Sequence, residues 1–258
     1  GEKQVRPAAW GGQRNVLFLR SLIVPAGKEL RFVGTEPAII VADTIDVQGN
    51  LTFLGTSVGP SSGSAGSDQA GGGGGHCTAG GSGGFWTGDS ARLGGAAFGS
   101  FDMLSFGGPG GSAEYTYTND VAPGGGGGGA IALLASTSVN VSGLIDVSGA
   151  NGSATGPTPQ YGAGGGAGGM IAIQAPAVTV AATAKLRAGG GRGGGGQGGK
   201  GSSSASSGAN GTTEGASVLG GGGGGTGRIV IRSGDSGANV TTAALSPAEN
   251  ACAELRPL

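Results

Sequence analysis

Short bursts of alternating apolar and polar residues recur along this chain, each followed by a tight corner and a second burst. Ile45, Val47, Leu51 and Phe53 line up without gaps on Val139, Val141, Ile145 and Val147. Both sets line up on Val178, Val180, Ala184 and Leu186. Alternation with a period of two predicts half-buried strands, and Gly49 and Gly143 stand where a tight corner needs them. An earlier copy, Leu22 and Val24 followed by Leu30 and Phe32, has the same form with a five-residue corner. A further short strand is expected upstream of each copy, at Val16/Phe18, Ile39/Val41, Ile131/Leu133 and Ile171/Ile173. A fifth, Ile229/Ile231, precedes a degenerate copy around 240–245 that reads as a terminal cap, since end repeats are atypical.

No single unit of this kind can bury its own apolar face, whereas stacked copies build a continuous column of Ile, Val, Leu and Phe. The pattern therefore predicts an all-β fold: a parallel, right-handed β-helix or solenoid of about four to five coils. The spacing from Val24 to Val47 sets a basic period of about 23 residues. A single domain is expected over 15–258, preceded by an N-terminal arm, 1–14, that carries Trp10.

Later spacings are longer because glycine-rich insertions intervene, at about 55–128, 149–168 and 188–226. Glycine accounts for 65 of the 258 residues and proline for 11, a composition near that of low-complexity disorder. The remainder argues for order: 36% of residues are apolar and only 11% charged, whereas disordered chains are charge-rich and apolar-poor. Ordering glycine is entropically costly, so the backbone amides and carbonyls of the runs must be densely paired. Side-by-side runs in the extended left-handed threefold helix, with a rise of ~3.1 Å per residue, meet that need and predict stacked polyglycine-II-like insertions on one edge.

This alternation of glycine runs with I-x-L/I and V-x-V-x-G strands resembles the glycine-rich β-helix proteins of bacterial surfaces. The polyglycine bundle is similar to that of phage tail-fibre adhesins and of springtail antifreeze proteins, although the strict Gly-x-x spacing of the latter is absent here. The resemblance covers residues 16–245 as a pattern. It implies extracellular presentation and stiffness, and it carries over no active site.

Chemistry is sparse. The net charge of −1, without basic or acidic blocks, points away from nucleic acid and anionic membranes, and no apolar stretch reaches the ~18 residues of a membrane span. The chain begins Gly-Glu-Lys, without methionine or a signal peptide, as a processed or trimmed chain would. G-x-G-x-x-G matches follow from glycine density alone, and 194–201 misses a phosphate loop because Gly201 follows Lys200 where Ser or Thr is required. A lone histidine, His76, excludes His-based metal clusters and reads as a polar residue beside Cys77. Asp43, Asp46 and Asp146 occupy different offsets of the repeat, so nothing enforces the ~5–9.5 Å carboxylate pair of a glycosidase. No catalytic, cofactor-binding or metal-binding residue is assigned, and the chain reads as a non-enzyme.

Two features carry specific expectations. Cys77 and Cys252 are compatible with one long-range disulfide, two reduced and buried cysteines being the alternative. The first insertion holds seven of the twelve aromatic residues, and its Phe side chains with Met103 predict a small core of their own. The alternative is a contact surface formed by Trp86, Tyr115 and Tyr117 for a neighbouring subunit, a glycan or a surface receptor. The expected function is that of an exported structural protein, secreted or at the cell surface, that forms a homo-oligomer or filament. An adhesin or phage tail-fibre receptor-binding module is the second reading, and a carbohydrate-active enzyme the third.

Overall fold

The computed structural model describes residues 16–54, 59–85, 89–116, 118–156, 160–195, 198–203, 206–214, 218–234, 239–240, 245–247 and 252–258. The expected arm, 1–14, lies outside them. All regular structure among the described residues is β. Strands Val16–Phe18, Ala38–Val47, Ala130–Val141, Met170–Ala175, Arg228–Ser233 and Ala253–Pro257 lie side by side in that order, all parallel. Ser21–Val24, Ala177–Val180 and Asn239–Val240 complete this nine-stranded sheet. A second parallel sheet pairs Glu29–Arg31, Asn50–Thr52, Leu144–Asp146, Lys185–Arg187 and Leu245–Ser246 in order.

Parallel register turns the alternation into columns. Leu22, Ile45, Val139 and Val178 stand in one column, and Val24, Val47, Val141, Val180 and Val240 in the next. Leu30, Leu51, Ile145, Leu186 and Leu245 form a third on the smaller sheet. Most of these side chains are buried and belong to one core, which Phe53 and Phe106 close with an edge-to-face contact at 5.5 Å. Burying a Val, Leu or Ile in such a column contributes ~1.5–3 kcal/mol.

The expected parallel β-helix of four to five coils is not what the strands make. They form separate parallel sheets of nine and five strands and two three-stranded sheets, each of the latter containing an antiparallel pair. The physical reason lies in the glycine segments. A strand sends its amides to two flanking neighbours in the sheet plane, whereas these segments bond in three directions and cannot continue a sheet.

Two registers also differ from the gapless repeat. Ile145 pairs with Leu186 and not with Ala184, because a turn closed by Ala184 N–H donating to Ala181 O lengthens that corner by two residues. Ile131 pairs with Ala38 and not with Ile39, and a bulge between Ala42 and Thr44 brings Ile45 back onto Val139. Without the bulge, a one-residue slip would turn the second half of the strand inside out.

The glycine body shows its geometry in its hydrogen bonds. Along one segment, Ala163, Gly166 and Gly169 donate to Ser153, Ala150 and Val147. Gly164 and Ala167 donate instead to Gly111 and Gly108, and Gly165 and Gly168 to Gly222 and Gly225. The segment at 220–225 repeats the rotation, addressing 212/209, 194/191 and 71/74 in turn. A threefold rotation of the amide direction is the signature of an extended threefold helix. Each segment is thereby surrounded by others, and carbonyl oxygens occupy the space where side chains would project. A Cβ on Gly166 would overlap Gly126 O, and one on Gly224 would overlap Gly166 O. The ladder runs on into the large sheet, with Met170 N–H donating to Gly129 O and Arg228 N–H to Gly169 O.

This close approach predicts a sharp positional contrast. Gly166→Ala should destabilise the protein by at least about 3 kcal/mol, through overpacking against backbone that cannot rotate away. Gly189→Ala, whose new methyl would find its nearest neighbour at 3.4 Å, should leave stability unchanged or raise it by up to about 1 kcal/mol. Equilibrium chemical denaturation of the two variants measures the difference.

Candidate functional site

The densest group of polar and aromatic side chains lies where the first insertion crosses the large sheet. His76 follows the run 71–75, is fully buried, and uses both ring nitrogens. Its Nδ1 lies 2.7 Å from Gly168 O and its Nε2 2.9 Å from Ser105 Oγ. A carbonyl can only accept, so Nδ1 carries the proton, and Ser105 Oγ–H donates to Nε2. The Phe98 ring covers the imidazole at 4.9 Å, and Phe98 N–H donates to His76 O. Burial pushes the His76 pKa down to about 4; the hydrogen bond to Gly168 opposes this, and the nearby Arg228 reinforces it.

Arg228 opens the strand Arg228–Ser233 and is itself buried. Its Nη2 donates to Phe98 O at 2.9 Å and to Gly99 O at 3.0 Å, and its guanidinium lies 5.3 Å from the centre of the Phe101 ring. Nε is buried with no hydrogen-bond partner among the described residues, and burial lowers the pKa of the group. Gly99 holds φ at +78, the left-handed region, and a Cβ there would meet Ser105, Arg228 and His76. Further along the same face, Asp102 accepts from Arg232 at 2.5 Å and from Arg256 at 3.2 Å.

A hydroxyl, an imidazole and an orienting acceptor in this order form a nucleophile and its base when they line an open cleft. Here Ser105 is 8% exposed and His76 0%, so no substrate reaches the hydroxyl. What the arrangement does is fasten: one imidazole ties the glycine body, through Gly168, to the segment 98–106, through Ser105.

The structure disperses most of the residues singled out in the sequence. Trp86 and Tyr117 lie outside the described residues. Tyr115 is half-buried and packs against Tyr161 at 5.5 Å, in a satellite cluster with Ala113, Ala122 and Leu219. The phenylalanines of the first insertion do not form a core of their own: Phe106 joins the main core, Phe98 and Phe101 pack on His76 and Arg228, and Met103 is exposed. The sheet core is near enough to take Phe106 and part of Phe101, so the insertion's own small cluster is built from alanines and Tyr115 instead. Cys77 and Cys252 are joined in a disulfide that closes 175 residues of chain and tethers the last strand, Ala253–Pro257, to the residue after His76. Asp43 accepts from Ser136, Asp46 from Gln48 and Asp146 from the Ser148 amide, at separate points of the sheets. Among the described residues no group of three or more His, Cys, Asp or Glu is placed to hold a metal ion. Among the described residues no helix is long and apolar enough to cross a membrane.

Sequence reasoning missed the site itself. His76 was placed beside a cysteine, but its partners Ser105, Gly168 and Arg228 come from three remote segments with no shared motif. The one available signal is a single histidine next to a cysteine inside the longest insertion.

Compared with family models, curated proteins and solved structures, the chain matches none.

Two outcomes follow from the site. The unfolded chain holds His76 at its ordinary pKa of about 6.5, whereas in the fold it protonates only near 4. Below about pH 6.5 the unfolded state therefore binds a proton that the native state refuses. This contribution to stability is constant above pH 6.5, falls through the window down to pH 4, and levels off below, for a loss on the order of 3 kcal/mol. Denaturation at pH 7 and pH 4.5 should show most of this loss, and His76→Asn should remove it. Replacing Cys77 and Cys252 together by Ser should cost on the order of 5 kcal/mol on the loop-entropy model, read as a lower denaturation midpoint.

Proposed function

We propose that this chain is a non-enzymatic structural protein, exported to the cell surface or extracellular matrix, that associates with copies of itself. The observation that supports this most is the glycine body. Its segments meet largely through backbone, at contacts too close for side chains, so the design favours rigidity over recognition. A disulfide spanning 175 residues supports an oxidising, extracytoplasmic location. The largest groups of side chains are employed in holding segments together rather than in lining a reachable cleft.

Self-association draws support from the first strands. Among the described residues, Val16–Phe18, Ser21–Val24 and Glu29–Arg31 each pair on one side only. Around them Leu17, Ile23 and Val33 are 50%, 61% and 81% exposed. An unpaired edge flanked by apolar side chains is a template for strand addition.

Sedimentation velocity over a range of concentrations, with negative-stain microscopy of the same samples, tests the reading. The expected result is species larger than the 24.1 kDa chain, seen as elongated particles. Leu17→Lys combined with Ile23→Lys should return them to monomers. A chain that stays monomeric at every concentration contradicts the assembly.

A further inference from the structure

We propose that residues 98–103 form an acid-released strap, with His76 as its catch: protonation of the buried imidazole lets the strap lift from the large sheet while the sheets stay folded.

Leu104 and Phe106 are fixed in the main core, so the strap ends at 103; it is held by Phe98 on His76 and Arg228, by Phe101 beneath Arg228 and Arg256, and by Asp102 on Arg232 and Arg256. Phe98 N–H donates to His76 O, the Phe98 ring covers the imidazole, and Ser105 Oγ meets Nε2. Arg228 binds the carbonyls of Phe98 and Gly99 from the sheet side. Among the charged side chains, Arg228 is the one that bears on His76, and it is a cation. Asp102, the strap's own carboxylate, is engaged with Arg232 and Arg256 at an exposed position. Ser105 offers a hydroxyl and Gly168 a carbonyl, neither of which carries a countercharge. The remaining neighbours are the Phe98 ring and the disulfide of Cys77.

A proton on His76 therefore creates a second buried cation beside Arg228, with no anion among the described residues to compensate either. Burial of an uncompensated charge is strongly unfavourable, and water is the nearest remedy. Lifting the strap removes the Phe98 cover from the imidazole and frees the Arg228 guanidinium at the same time. Both cations become hydrated by one local opening. The sheets have no reason to follow, because their ladders do not pass through 98–103 and the core side chains Leu104 and Phe106 lie beyond its end. Local opening of this kind is how proteins relieve a confined cost without unfolding. The face uncovered is that of Arg228, Val230 and Arg232, in register with Ala172 and Ala132. A surface that is basic and apolar at once becomes available only in acid.

Hydrogen exchange of the full disulfide-bonded chain, followed by mass spectrometry and corrected for intrinsic rates, reads the opening directly. Between pH 6.5 and pH 4.5 the protection of amides in 98–103, above all the Phe98 amide bonded to His76 O, should fall about tenfold per pH unit, the linkage expected for one proton taken up on opening. It should recover on neutralisation, and amides of strand Ala130–Val141 should stay far better protected throughout. His76→Asn, which keeps a donor towards Gly168 without a titrating group, should abolish the slope. Strap protection that does not change with pH overturns the proposal. So does strap protection lost only together with that of the strands, or a slope that survives in His76→Asn. Should that variant not fold, Arg228→Met provides the second arm, followed down to about pH 3.5: without the like charge the buried imidazole accepts its proton more readily, so the fall in protection should level off at a higher pH, and an unmoved levelling-off overturns the proposal equally.

Discussion

Everything in this molecule depends on amide-to-carbonyl contact between glycine segments. Where a strand has two neighbours, each of these segments has several, because its amides rotate by a third of a turn from one residue to the next. The absence of Cβ is what permits this arrangement. Carbonyl oxygens of one segment fill the volume that side chains of the next would need. Each such hydrogen bond contributes only about 1 kcal/mol net, and ordering glycine opposes folding. The body therefore holds because it is saturated: nearly every amide along 162–169 and 220–225 finds a carbonyl.

The sheets and the glycine body serve each other. The columns of Val, Ile and Leu supply the hydrophobic stabilisation that glycine cannot. The strands then deliver their ends to the glycine segments at fixed heights, as in the run from Gly129 through Gly169 to the amide of Arg228. The disulfide closes the assembly by holding the last strand to the first insertion. A chain built this way has little chemistry to offer except where side chains break the glycine pattern. The buried His76 and Arg228 are such a break, and their mutual repulsion in acid makes them a point of conditional weakness in an otherwise rigid object.

How far the sequence speaks can be seen residue by residue. The alternation at Ile45/Val47 and Val139/Val141 leads to parallel partners, because inward-facing β-branched residues at period two have one economical packing. The corner before Leu186 was misjudged by two residues, since turn length there follows from an Ala181–Ala184 hydrogen bond with no glycine to mark it. The bulge near Ala42 leaves no trace in composition. The β-helix inferred from the repeat did not follow either, because the pattern describes which residues face inward and says nothing about how the intervening glycines close the wall. Of the candidate site almost nothing was legible: Ser105, Gly168 and Arg228 are ordinary residues until the fold brings them to one imidazole.

The sequence by itself determined the strands, their inward faces and the demand that the glycine runs be bonded, for these follow from local periodicity and from the cost of leaving backbone groups unpaired. Only the tertiary structure decided which segment each glycine bonds, where the sheets end and how one histidine comes to be buried beside an arginine. Those outcomes depend on contacts across 29 to 175 residues of chain, a range over which no local pattern reaches.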